Sequence, residues 1–169
     1  SGMPSKYGGR ISSVLEIAPL EGNRERVKVS GGVSPVTGRI LVEGPVKKGK
    51  GSFIIGTRAT YSDWILGMLD DPQLQKSSAG FYDVQGIINT EINARNSISL
   101  SGYYSKDKFD YFSVNAFDYR NLASTLKWKH IFNPKLSPQF YGIVSNYDYH
   151  LNETQDSTDY SSTYYKLDQ

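Results

Sequence analysis

The side chains able to do chemistry are few and scattered. His130 and His150 fall on different predicted strands, one beside a short turn and the other beside a longer polar stretch. They therefore belong at opposite ends of a hairpin, where they cannot share a metal ion. Asp70-Asp71, Asp107 with Asp110, and the group Glu153, Asp156 and Asp159 offer the oxygen ligands that suit Ca²⁺. Each lies in a polar stretch where solvation is the expected role. Serines abound, but no nucleophile elbow or positioned base accompanies them. The run Lys47-Lys48-Gly49-Lys50-Gly51 lacks P-loop spacing and no helix follows it, so it reads as a solvated hairpin turn. No catalytic residue, metal site or cofactor is expected, and the chain is read as non-enzymatic. Tyr103, Tyr111, Tyr119 and Tyr149 are the side chains with a recognition role to weigh. Their rings suit a membrane-interface girdle, the expected role, or a loop surface that stacks on a sugar or siderophore.

The elements carrying these residues alternate with a period of two. Between Phe81 and Asn93, Tyr82, Val84, Ile88 and Ile92 point one way and Asp83, Gln85, Asn89 and Glu91 the other. After the turn Ala94-Arg95-Asn96, Ile98, Leu100 and Tyr104 oppose Ser97, Ser99, Ser101 and Ser105. Such a sheet needs two environments: core and water in a sandwich, or lipid and lumen in an outer-membrane barrel. The runs are nearer the roughly 9–11 residues of a tilted membrane strand than the usual 5–6, which favours the barrel.

Composition agrees with either sheet and excludes other classes. The chain has 169 residues, a net charge of +2 and no cysteine, and its mean hydropathy is −0.47. That balance gives no reason to expect nucleic acid as a partner. The absence of cysteine removes disulfides and thiolate metal sites. No apolar run is long enough for a transmembrane helix. Thirteen Tyr beside seven Phe and two Trp is a phenol-rich set that fits membrane interfaces and half-buried strands alike.

In chain order, residues 1–24 form a short unit and 25–169 a series of strands near 26–34, 38–44, 51–61, 81–93, 97–106, 118–132, 137–149 and 160–169. The opening residues lack the features of a signal peptide, so a leader has been removed or the chain begins within a longer protein. Between the third and fourth strands, Asp63 is expected to cap a helical turn through Trp64, Leu66 and Leu69 that Asp70-Asp71-Pro72 ends. Connections are expected to alternate in length: short at 47–50, 94–96 and 133–135, long at 62–79, 106–118 and 150–159. That sorting is how an outer-membrane barrel separates periplasmic turns from outer loops.

The segment Tyr7-Gly8-Gly9-Arg10-Ile11-Ser12-Ser13-Val14-Leu15-Glu16-Ile17, followed by Glu21-Gly22-Asn23, resembles the end of the plug in TonB-dependent outer-membrane receptors of the Bacteroidetes type. Glu43-Gly44-Pro45-Val46, Arg58-Ala59-Thr60-Tyr61 and the stretch from Trp128 to Lys135 are similar to that family in the same order. The resemblance implies an all-β, antiparallel up-and-down transmembrane barrel of about 22 strands around a plug. This chain would supply the plug's tail, with Tyr7, Gly8, Gly9, Arg10, Ser12 and Ser13 as its motif, and the first seven to eight strands. It also implies residence in the bacterial outer membrane, uptake of a siderophore, glycan, peptide or similar nutrient, and energy coupling by TonB through a missing N-terminal part. The expected partners are outer-membrane lipid, the remaining strands and, left open, a surface lipoprotein.

Two other readings fit the same alternation: a closed eight-stranded barrel with a structural or adhesive role, and a soluble β-sandwich binding module. Three expectations separate them. Gly8, Gly9 and Arg10 should contact Gln85, Asn89 or Glu91 inside the lumen; Arg58 should share a face with Ser52 and Gly56, opposite Phe53 and Ile55; and the first and last strands should stay unpaired with each other.

Overall fold

A computed structural model of the chain describes residues 20–111, 115–153 and 157–168, with side chains described to Leu151 except at Asn115. The plug motif at Tyr7–Ser13 lies outside the described residues, and so does the expectation for Gly8, Gly9 and Arg10. Eight strands form one antiparallel sheet in sequence order: β1 (Lys28–Val33), β2 (Thr37–Lys47), β3 (Gly51–Thr60), β4 (Ser78–Asn93), β5 (Asn96–Tyr111), β6 (Asn115–His130), β7 (Gln139–Glu153) and β8 (Ser157–Asp168). Within the sheet β1 pairs with β2 and β8 with β7, and the two edges do not meet. The fold is thus all-β and open, and the closed eight-stranded barrel does not form.

Register fixes the faces, because one step along a strand reverses the side chain. Arg58 pairs with Asp83 across β3 and β4, and Asp83 with Ser105 across β4 and β5. These residues, with Ser52, Gln85, Asn89, Ser99 and Lys127, occupy one face. Phe53, Ile55, Val84, Ile88, Leu100 and Leu126 occupy the other. Arg58 lies with Ser52 and Gly56, as the sequence led us to expect.

Burial runs opposite to that of a water-soluble domain. Among the described residues no hydrophobic side chain is buried, whereas Ser52, Asp83 and Ser105 are. A groove of about 820 Å³ opens on the same side as these buried polar groups, so the polar face is concave and the apolar face convex. On the convex face Val84, Ile88, Leu100, Leu122, Leu126 and Val144 are each 40–52% exposed. Full burial of one such side chain is worth about 1.5–3 kcal/mol. Half-covered rows of them therefore forgo on the order of 10 kcal/mol, comparable to the roughly 5–15 kcal/mol that a whole domain has in net stability. The convex face requires an apolar neighbour, and no second layer lies over it among the described residues.

Two of the expected long connections are absent. Strand β5 continues to Tyr111 and β6 begins at Asn115, while β7 runs to Glu153 and β8 begins at Ser157, leaving three residues at each junction. On the opposite rim the β6–β7 connection spans residues 131–138, bridged between Asn133 and Leu136. Connection length therefore does not sort by rim, and that argument for a barrel falls. Charged and polar residues made 106–118 and 150–159 look like loops, yet the ladder runs on to Tyr111 and Glu153 and resumes at Asn115 and Ser157.

The remaining long connection, 61–77, holds two short helices, α1 (Asp63–Leu66) and α2 (Pro72–Gln75). Asp63 is not the cap: Ser62 holds that position, and the Asp63 carboxylate accepts from the Ala79 backbone N–H at 3.1 Å. Asp71 caps α2 by accepting from Gln73 N–H at 2.8 Å, so Pro72 starts a helix and does not end one. Trp64 Nε1 donates to the Pro35 carbonyl at 3.1 Å and Tyr61 Oη to that of Ser34, which tie the connection to the β1–β2 turn. Strand β2 passes Pro45 at a register shift and ends at Lys47, beyond the expected stop. The basic turn that follows is a hairpin, with Gly49 at φ 73°.

Candidate functional site

Two regions of the concave face carry the side chains that could bind something. The first lies at the rim of the 48–50 and 94–95 turns. There the segment before β1 folds back over the sheet: Arg24 Nη1 donates to Glu91 Oε1 at 2.8 Å and Nη2 to Glu21 Oε2 at 2.9 Å. Asn23 N–H donates to Glu43 Oε2 at 3.1 Å, and the Gly49 N–H to the Arg24 carbonyl at 3.2 Å. The hydrogen bond that Arg24 donates to Glu91, then that to Glu21, raises the guanidinium pKa above its ordinary value. Beside this segment the groove is lined by Asn89, Ser97, Ser99, Lys127, Lys129 and Tyr141, with Lys127 Nζ 5.7 Å from the Tyr141 ring centre. The surface is hydrophilic and mixed in charge.

Gly22 is what lets the segment lie so close. A Cβ there would collide with the Phe53 carbonyl of β3, and backbone in a ladder cannot move aside. Gly22→Ala is therefore expected to lift the segment and speed tryptic cleavage after Arg24 in the intact protein. Gly80→Ala, with open space around its Cβ, serves as the control. Equal cleavage rates would mean that the segment is not seated on β3.

The second region lies at the opposite rim, towards the ends of β5, β6 and β7. Here the polarity of the two faces reverses. The concave face carries Phe109 against Phe117 at 6.2 Å, Phe117 stacked with Tyr119 at 6.4 Å, and Tyr119 against Tyr149 at 5.0 Å between ring centres. Phe109 also stacks with Tyr111 at 6.5 Å, and the Tyr111 hydroxyl donates to Gln73 Oε1 at 3.1 Å. The convex face at this level holds Lys106, Asp118 and Arg120, with Asp118 bonded to Lys106 at 3.1 Å and to Arg120 at 3.3 Å.

The four tyrosines singled out from the sequence are thus strand residues on the concave face. Tyr103 sits beside Gln85, and Tyr111, Tyr119 and Tyr149 flank the ring row. They share no side with the apolar band, which removes the girdle role expected for them. The rings that border the band are others: Tyr82 with Tyr104 at 5.8 Å on one side, Trp128 with Phe140 at 5.3 Å on the other. Phe109 and Phe117 were missed, though the alternation Lys108-Phe109-Asp110-Tyr111 was there to read.

Between the two regions Arg58 Nε donates to Asp83 Oδ2 at 2.6 Å, and its guanidinium stands 5.1 Å from the Phe81 ring centre. Asp107 and Asp110 face opposite sides and cannot share a cation, and no metal-binding cluster occurs among the described residues. His130 and His150 lie towards opposite ends of the β6–β7 pair. No family model, curated protein or solved structure matches the chain.

Proposed function

We propose that the chain is a segment of a TonB-dependent outer-membrane receptor, comprising the end of its plug and the first strands of its barrel. The observation that carries this reading is the inverted burial: polar groups enclosed on the concave face, apolar ones uncovered on the convex face. A lumen and a lipid surface supply those two environments. Three features support it. Rings border the apolar band on both sides, the segment Glu21–Arg24 is seated on the concave face where a plug would be, and both sheet edges are open to further strands. In the intact receptor about 22 strands would close around the plug, in the bacterial outer membrane. TonB would couple energy to the uptake of a nutrient, and a surface lipoprotein is compatible with the open mouth.

The soluble β-sandwich is the competing reading, since a second sheet would also cover the convex face. Cell fractionation of the full-length protein separates the two. The receptor is expected in the outer-membrane fraction, released by detergent and not by high salt or carbonate. Recovery in the soluble fraction without detergent would overturn the proposal.

A further inference from the structure

The groove beside the seated segment is unevenly charged. Arg24, Glu21 and Glu91 are bonded to one another and together carry one net negative charge. Lys50, Arg95, Lys127 and Lys129 line the same groove and form no ion pair among the described residues, which leaves the lining a surplus of three positive charges. On β8, Asp168 and Lys166 hold register positions on this face and offset each other, as do Glu43 and Lys28 across β1 and β2. Lys127 and Lys129 are half-buried, and ammonium groups withdrawn from water without a counter-charge are costly. Register sets each beside a hydroxyl: Lys127 pairs with Ser99 and Lys129 with Ser97.

We propose that this groove holds an extended acidic segment of the same protein, with carboxylates on alternate residues. The proposal rests on the receptor reading, in which further polypeptide precedes Ser1. The two ammonium–hydroxyl pairs stand two residues apart along the strands, about 6.5 Å at ~3.3 Å per residue. Side chains on one side of an extended chain recur at that same interval. Two carboxylates of such a segment therefore meet both pairs at once, whereas a phosphate-sized anion spans only one. The source of the occupant follows from the path of the chain. Glu21 and Arg24 line the groove, so polypeptide preceding Leu20 arrives beside it. Residues 1–19 do not supply the charge, because they set Glu16 against Lys6 and Arg10. The acidic residues belong to polypeptide before Ser1.

Carbodiimide coupling of the full-length protein in detergent, followed by peptide mass spectrometry, tests this, because it joins a lysine amine to a carboxylate only where the two are in contact. Lys127 and Lys129 are expected to be joined to two acidic residues, one residue apart in sequence, in a segment before Ser1. When Lys127→Glu and Lys129→Glu are combined, proteolytic cleavage within that segment should rise about tenfold, as a segment held less tightly opens more often. Lys127→Arg with Lys129→Arg, and Lys135→Glu outside the groove, should stay within about twofold of the unaltered protein. Heat-modifiable gel migration reports whether each variant is folded, and the couplings in the unaltered protein decide the matter if the charge-reversed variant is not. Absence of coupling, coupling to acidic residues within 1–169 alone, coupling to a separate copurified protein, or unchanged cleavage in the folded charge-reversed variant would each overturn the proposal. Failure of the receptor reading would register separately, as a full-length protein that fractionates without the outer membrane.

Discussion

Released from the strands that would flank it, the chain is expected not to insert into a bilayer as a monomer. Its sheet ends at β1 on one side and β8 on the other, and neither edge finds a partner among the described residues. An edge strand points every second backbone N–H and C=O outward. For the 12 residues of β8 that is on the order of ten unpaired groups, each costing several kcal/mol in hydrocarbon. Even if half of them reached water, the penalty would exceed about 10 kcal/mol, more than the convex face could recover by meeting lipid. Mixed with phospholipid vesicles, the isolated chain should aggregate or join β8 of one copy to β1 of the next. Gel migration without heating and protease protection report the outcome. A protected, heat-modifiable monomer would show that the sheet closes on itself, and the receptor reading would fail.

The second large effect is a depth-dependent charge penalty. Leu126 pairs with Leu100 in the middle of the convex band, while Phe140 stacks with Trp128 at its border. In lipid, Leu126→Arg should cost roughly 2–4 kcal/mol, but Phe140→Arg only about 0–1 kcal/mol beyond the loss of its ring contacts. Thr125→Arg, one step away on the concave face, should change little beside Lys127. Urea unfolding of the intact protein in vesicles measures all three. If Leu126→Arg costs the same in detergent-free aqueous buffer, or if border and centre cost alike, the band is buried against protein and the sandwich gains the ground.

What could be read in the sequence follows from where the alternation keeps one phase. In β3, β4 and the first half of β5 most apolar residues hold one parity, with Ile54, Phe81 and Ile87 the exceptions, so the faces of Arg58, Asp83 and Leu100 were legible. So were the turns at 48–50 and 94–96, where glycine or asparagine marks the reversal. Past Tyr104 the apolar parity switches: Phe109 and Tyr111 are odd where Ile98 and Leu100 are even. A period-two reading that expects constant phase sees this as disorder and inserts a loop. The strand near 137–149 was legible as β7, and its Tyr141, Ile143, Tyr147 and Tyr149 lie on the concave side, opposite the parity of the apolar band. Contacts of Arg24 with Glu91 and Glu21 had no local signal beyond opposite charge, because they depend on a backbone path that only Gly22 permits.

Because the rings from Phe109 to Tyr149 stand on paired strands and not on loops, their arrangement is quantised by the ladder. A residue inserted in β6 between Arg120 and Leu122 would turn Phe117 and Tyr119 to the convex side and bring Asp118 and Arg120 inward, exchanging the chemistry of that face at one stroke. The three-residue junctions at 112–114 and 154–156 could absorb extra residues without that inversion. Variation in this ring row should thus accumulate as substitutions along the strands, with changes in length confined to the junctions and to 61–77.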